Sequence, residues 1–149
     1  MGIFNPGHRK AFTIDKQSQR AIEQSFTKLG VTYNPRLKRQ IARKAAKIVV
    51  KTAKREVESL AKDTGTLKKS IKSLTFKRSA AIFVGPKRGG KHDGWYGHFT
   101  EDGTAQGITA VHYMKNAYEK TKDQAAKGLI DAAEFVLMRK ATQLGIRIS

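Results

Sequence analysis

The sequence predicts an α+β fold: a small antiparallel sheet packed by a long basic amphipathic helix and a long C-terminal helix. Three observations carry this. Apolar residues recur at steps of three and four from Pro35 to about Lys62. They do so again from His112–Met114 to about Gln143, and two short alternating runs, Ser73–Arg78 and Ala80–Gly85, lie between the two. With 149 residues, of which 39% are hydrophobic, the chain has the size of a single domain, 1–149. Three segments stand outside the periodic pattern: an extended N-terminal arm (1–12), a flexible basic loop (85–94) and a C-terminal tail (145–149).

The elements follow in order. The arm carries Pro6, two glycines and the run His8, Arg9, Lys10. A short helix follows, with Asp15 as its N-cap, Ile22, Phe26 and Leu29 at helical spacing and Gly30 as its stop. Asn34 then caps the long helix and Pro35 takes its first position, where a missing N–H costs nothing. Leu37, Ile41, Ala45, Ile48, Val49, Ala53, Val57 and Leu60 form its apolar stripe, while Arg43, Lys47, Lys51 and Lys54 line another face. Asp63-Thr64-Gly65 ends the rod, and Thr66–Ile71 makes one turn of helix. The two strands meet at Arg78-Ser79, a weak hairpin signal. Four glycines fall in Gly85–Gly94, too many for a core segment. In the last helix Ala117, Ala125, Leu129, Ala132, Ala133, Val136 and Leu137 face inward, Gly128 weakens the helix, and Gly145 ends it. Ile146-Arg147-Ile148 reads as an edge strand or a tail.

Charge sets the functional classes. Thirty Lys and Arg stand against 12 Asp and Glu, a net of +18, which points to an anionic partner. The excess is +13 in residues 1–75 and +5 in 76–149. Arg36, Lys38, Arg39, Arg43, Lys44, Lys47, Lys51, Lys54 and Arg55 follow one another with no carboxylate between them. Of these, Arg36, Arg39, Arg43, Lys47, Lys51 and Lys54 are the candidate contacts for an anionic partner. Lys87, Arg88 and Lys91 make 85–94 a candidate docking loop. The chain has no cysteine, which removes disulfides and thiolate chemistry. No apolar run approaches the roughly 18 residues of a membrane span, and Met1–Pro6 lacks a secretory h-region. The expectation is a soluble protein of a cytoplasm with no membrane partner.

Catalytic motifs are near misses. Gly85-Pro-Lys-Arg-Gly-Gly-Lys91-His92 approaches a phosphate-binding loop, but His92 replaces the hydroxyl that would hold magnesium, and Asp93-Gly94 interrupts the helix that must follow. His92, Asp93, His98, Glu101 and Asp102 lack metal-ligand spacing. No nucleophile elbow exists, and no carboxylates cluster as a nuclease requires. The sequence is read as that of a non-enzyme without cofactor or metal. Nor does it contain a zinc finger, a helix-turn-helix or an aromatic stacking platform.

Four boxes in register remain. Thr64-Gly65-Thr66-Leu67-Lys68-Lys69-Ser70-Ile71 resembles the Thr-Gly-x-Leu-x-x-Ser-Ile signature of a minor tail protein family of long-tailed bacteriophages, the tail-completion or head–tail joining proteins. Val84-Gly85 matches the end of that family's strand pair. Tyr96-Gly97-His98-Phe99-Thr100-Glu101-Asp102-Gly103-Thr104 matches its Tyr-[Ala/Gly]-x-x-x-Glu-x-Gly-Thr box. His112-Tyr113-Met114-Lys115-Asn116-Ala117 stands where the family has Pro-Phe-Met/Leu-x-x-Ala, with His112 and Tyr113 in place of Pro and Phe. The resemblance covers about residues 64–140.

The resemblance implies a structural virion protein of the phage neck and tail. It would be assembled in the host cytoplasm as a homo-oligomeric ring around the DNA channel, between adjacent proteins such as a connector or stopper and a tail terminator or tube. The boxes themselves read as fold determinants. Gly65 and Gly103 suit positive φ, Thr64 and Thr104 suit bonds to nearby backbone, and Leu67 and Ile71 suit a staple onto the sheet. Tyr96 and Phe99 suit the space between sheet and helices, and Glu101 suits a cation of this chain or of a ring neighbour. The alternative is a nonspecific DNA-binding protein acting through the basic helix; contact with packaged DNA is compatible with both.

Overall fold

A computed structural model describes residues 16–60, 65–75 and 82–147. The elements run α1 (Lys16–Lys28), α2 (Pro35–Glu58), α3 (Thr66–Ser70), β1 (Ile71–Thr75), β2 (Ile82–Pro86), α4 (Gly97–Asp102) and α5 (Tyr113–Gln143). The α+β class stands: a two-stranded antiparallel sheet packs against long helices. The 1–12 arm, the Asp15 cap, Thr64 and the Arg78-Ser79 turn lie outside the described residues.

The helix boundaries follow local chemistry. α1 ends in a pair of crossed bonds, Gly30 N–H to Thr27 O at 2.9 Å and Val31 N–H to Phe26 O at 3.0 Å. α5 ends the same way, Gly145 N–H to Thr142 O at 3.1 Å and Ile146 N–H to Ala141 O at 2.9 Å. Both need a left-handed residue, and Gly30 (φ 67°) and Gly145 (φ 70°) supply it. Asn34 Oδ1 accepts from Leu37 N–H at 3.0 Å with Pro35 at the first helical position, as read from the sequence.

α2 and α5 form the seam of the molecule. They run antiparallel, because residues early in α2 pack with residues late in α5 and the reverse. At one end Ile22 and Phe26 of α1 meet Leu37, Ile41, Ala132, Ala133 and Val136. In the middle Ala45, Val49 and Ala125 touch. At the other end Ala53 and Val57 meet Leu67, Ile71, Tyr113 and Ala117. Alanines on both sides let the backbones approach closely. Thr121 is buried in the same seam with its hydroxyl donated to Ala117 O at 2.6 Å. Gly128, read as a weak point, sits where an added Cβ would lie 3.0 Å from Ile48 Cδ1, so it serves the close approach of the helices.

Several boundaries differ from the sequence reading. α2 ends at Glu58, not near Lys62: Ser59 N–H bonds Arg55 O and Leu60 N–H bonds Val57 O, and the chain turns there. Ile71 belongs to β1 rather than to the helical turn, and β2 runs on to Pro86. The ladder pairs Ile71 with Pro86, Lys72 with Gly85, Ser73 with Val84, Leu74 with Phe83 and Thr75 with Ile82. Neither strand alternates cleanly in burial: Ile71, Gly85 and Pro86 are buried, and Val84 of the middle pair also packs toward α2. Leu67 and Ile71 pack with Ala53 and Val57 of α2, and Val84 of β2 lies against the same cluster, so they join α3, the sheet and α2. The short α4 was not expected; a six-residue helix is too brief for apolar periodicity to register. No strand forms at Ile146–Arg147.

Gly97 lies at a tightly packed junction. A Cβ there would lie 2.8 Å from Tyr113 Oη, 2.9 Å from Leu67 Cδ1 and 2.9 Å from Pro86 Cγ. Gly97→Ala should cost about 1–3 kcal/mol through overpacking. In thermal unfolding that is a drop of roughly 2–4 °C per kcal/mol for a chain of this size. An unchanged melting temperature would show that the four elements meeting there are not packed as described.

Candidate functional site

The basic face of α2 is built by helical geometry. At 100° per residue Arg36, Arg43, Lys47 and Lys54 fall within a narrow stripe, flanked by Arg39 on one side and Lys51 on the other. The stripe lies opposite the buried Ile41, Ala45 and Val49. From Arg36 to Lys54 it runs about 27 Å along the axis. Arg36, Arg43, Lys47 and Lys51 are exposed; Arg39 and Lys54 are half-buried. The carboxylates near α2 go to other cations. Lys38 Nζ meets Glu23 at 3.1 Å, Lys120 Nζ meets Glu56 at 2.6 Å and Lys68 Nζ meets Glu58 at 2.7 Å. These three pairs clamp α1, α5 and α3 onto α2. None of the six candidate cations has a carboxylate partner among the described residues.

The Tyr96–Thr104 box is the structural hinge between sheet and α5. Gly103 (φ 75°) ends α4 and passes over the next loop so closely that a Cβ would lie 2.7 Å from Ile108 O. Thr104 Oγ1 accepts from Ile108 N–H at 3.2 Å, as expected of a threonine at this turn. Gly65 also takes positive φ (78°) ahead of α3. Tyr96 is half-buried against Ala53, Val57, Leu67 and Tyr113. Phe99 does not join that cluster; it sits edge-on to Trp95 at 5.9 Å. Tyr113 fills the space instead, fully buried, its hydroxyl donated to Gly97 O at 3.2 Å.

Among the described residues Glu101 pairs with no cation. Its carboxylate accepts from Met114 N–H at 2.8 Å and Lys115 N–H at 3.0 Å, two of the free amides at the start of α5. His112 occupies the N-cap position but makes no side-chain cap bond. Its backbone is left-handed (φ 52°) and its N–H is donated to Glu101 O at 3.1 Å. Proline fits neither that φ nor that bond, so the departure at His112 from the Pro of the related pattern has a backbone consequence. The sequence reading missed the cap because it joins residues 13 and 14 apart.

The 85–94 loop is less free than its glycines suggested. Gly85, Pro86 and Gly94 are buried. Lys87 N–H is donated to Ser70 O and Gly94 N–H to Lys87 O, both at 2.9 Å. Lys87, Arg88 and Lys91 are exposed on the span between. His92 feels several cations. Partial desolvation, then Lys69, Lys91 and Lys72, hold its pKa below the usual imidazole range. Asp93 Oδ1 accepts from Trp95 N–H at 3.0 Å, and His98 Nδ1 lies 2.7 Å from Trp95 O. With Glu101 turned to backbone amides, these side chains do not converge, and no metal-binding group of three exists among the described residues. Nor is any helix among them long and apolar enough to cross a membrane.

This arrangement combines a cationic helix, a pinned hairpin and a boxed helix start. It is an assembly of surfaces and turns. The family model described as "HK97-gp10_like: Bacteriophage HK97-gp10, putative tail-component" matches residues 20–103. The chain belongs to this family of bacteriophage tail components, which makes it a virion protein. The match spans α1 to α4 and ends at Gly103. It starts earlier than the boxes that suggested the resemblance and ends before the His112–Ala117 segment. No curated protein and no solved structure matches the chain.

Two outcomes test the box. Glu101→Ala should cost about 1–2 kcal/mol, the usual loss on removing a helix cap, with Glu101→Gln losing less because it keeps an acceptor; chemical denaturation of the two variants reads this. Burial, with Glu101, Asp102 and Tyr96 adding to it, raises the Tyr113 pKa far above the usual phenol range. The unfolded phenol titrates near 10. A raised folded pKa gives stability that is complete below about pH 10 and lost as pH rises further. Denaturation midpoints at pH 9 and 11 should therefore fall more in the native chain than in Tyr113→Phe.

Proposed function

We propose that the chain is a structural protein of the phage neck, completing the tail and joining it to the head as a ring around the DNA channel. Family membership supports the tail; one observation supports an assembly surface. Cations line α2 even in its first turn, where the helix dipole disfavours them and no acidic residue is present. Arg36 and Arg39 stand there without carboxylate partners among the described residues. A local rule broken this way, with no compensating carboxylate among the described residues, is expected where a partner supplies the compensation. Acidic surfaces of ring neighbours or of adjacent neck proteins fit that role. Rigid domains making heterologous contacts close into a ring when the rotation permits. The mechanism is mechanical, and no turnover is assigned to the protein.

Packaged DNA is the second candidate for the same face. A rod about 27 Å long with six cations can follow several phosphates of a duplex. As a free nonspecific DNA-binding protein the chain would bind as a monomer or dimer with a steep salt dependence.

Electron microscopy of the purified protein, and of virions labelled on it, decides between these. Rings at the neck are expected. Particles of monomer size that bind duplex and are absent from the neck would overturn the proposal. Arg43→Glu with Lys47→Glu should abolish ring formation while leaving the melting temperature within a few degrees. A docking test by deletion should remove residues 88–92 only, since Pro86 is part of the packed strand end.

A further inference from the structure

A second cationic cluster lies away from the α2 stripe, on elements that pack against the apolar side of α2. Lys69 is the exposed residue before the buried Ser70 of α3, and Lys72 is the exposed residue after the buried Ile71 of β1. The ladder sets Lys72 opposite Gly85. The next bond, Lys87 N–H to Ser70 O, carries the 87–94 loop back over the α3–β1 junction. Gly94 closes the loop against Ser70 and Pro86, where a Cβ would not fit. With both ends of the loop fixed on Ser70 and Pro86, Lys69, Lys72 and Lys91 lie near enough for their charges to act on the His92 ring. The one carboxylate on the loop, Asp93, is folded onto the Trp95 amide. Lys68, the neighbouring cation, is already paired with Glu58. Lys69, Lys72 and Lys91 have no such partner among the described residues.

We propose that Lys69, Lys72 and Lys91, gathered around His92 by the pinned loop, form a phosphate-binding site distinct from the basic face of α2. Lysine is a compact point charge on a flexible stem, and three of them suit the oxygens of one or two phosphate groups better than the planar geometry of a carboxylate. His92 adds a ring N–H. Desolvation and then the three cations lower the pKa of the ring, and an anion that offsets the cations raises it. The imidazole is therefore a built-in reporter of occupancy. The site stands independently of the neck assignment, because it rests on the loop and not on ring formation.

The test is an NMR titration of the His92 ring in the full-length protein, assigned with His92→Gln. It is run with sodium pyrophosphate, with a 20-base-pair duplex at low salt, and with poly-glutamate. The His92 pKa should rise with pyrophosphate or duplex, while His98 and His112 stay put. A response to both assigns nucleic-acid backbone and a response to pyrophosphate alone assigns a small phosphate; either supports the site. Movement with poly-glutamate as large as with phosphate, or no movement with any probe, overturns it. For the duplex arm, K69A/K72A/K91A should flatten the slope of log K against log salt by about 3, one unit per lysine. The triple arginine variant should restore it. A triple alanine variant with the native slope also overturns the duplex assignment.

Discussion

Everything in this molecule leans on the antiparallel contact between α2 and α5. The helices meet through Ala45, Ala53, Ala117, Ala125, Ala132 and Ala133, with Val49, Val57 and Val136 among them. Small residues on both sides bring the rods together at short range. They also leave little side-chain volume to define the ends. The ends are defined by other elements: α1 wedges Phe26 into one, and α3, β1 and Tyr113 fill the other. The sheet is only two strands and depends on α2 for burial of Ile71. Two-stranded sheets are marginal alone, so here the helices hold the sheet.

That contact also decides where the charge goes. A helix that buries its alanine and valine stripe has one outward face left, and in α2 that face carries Arg36, Arg43, Lys47 and Lys54. The carboxylates within reach are committed to clamping α1, α3 and α5 at the flanks. The outward face is thus left positive by construction, and the +18 of the sequence becomes a directional surface rather than a diffuse property. The same separation holds at the hairpin, where Lys68 is engaged and Lys69 and Lys72 face out.

Much of this was legible in the residues. Asn34-Pro35, Gly30 and Gly145 marked helix ends through side-chain and backbone chemistry that acts within five residues. The stripe from Leu37 to Val57 and the one from Ala117 to Val136 carried the helical period. What the sequence did not disclose was long-range in origin. Glu101 looked like a partner for a cation because its true donors, the amides of Met114 and Lys115, lie 13 and 14 residues away. Tyr113 looked like a substitution for phenylalanine; its hydroxyl gained a partner in Gly97 O only once α4 had formed. The 85–94 loop looked free because its anchor, Ser70 O, belongs to another element. The outward stripe on α2 was readable as a pattern, but which partner answers it is a property of another molecule.

The match to the tail-component family runs from residue 20 to 103, while α5 begins at Tyr113. The portion that carries the shared sequence pattern therefore lacks one of the two rods of the seam. Cut at that boundary, the chain would present the apolar stripe of α2 to water along most of its length. The segment that matches the family model and the unit that packs do not coincide here. A helix whose inward demands are mostly alanine can drift widely in sequence and still seat on α2. Kinship in such proteins should then be most visible in the hairpin and its boxes, and faintest in the element that completes the core.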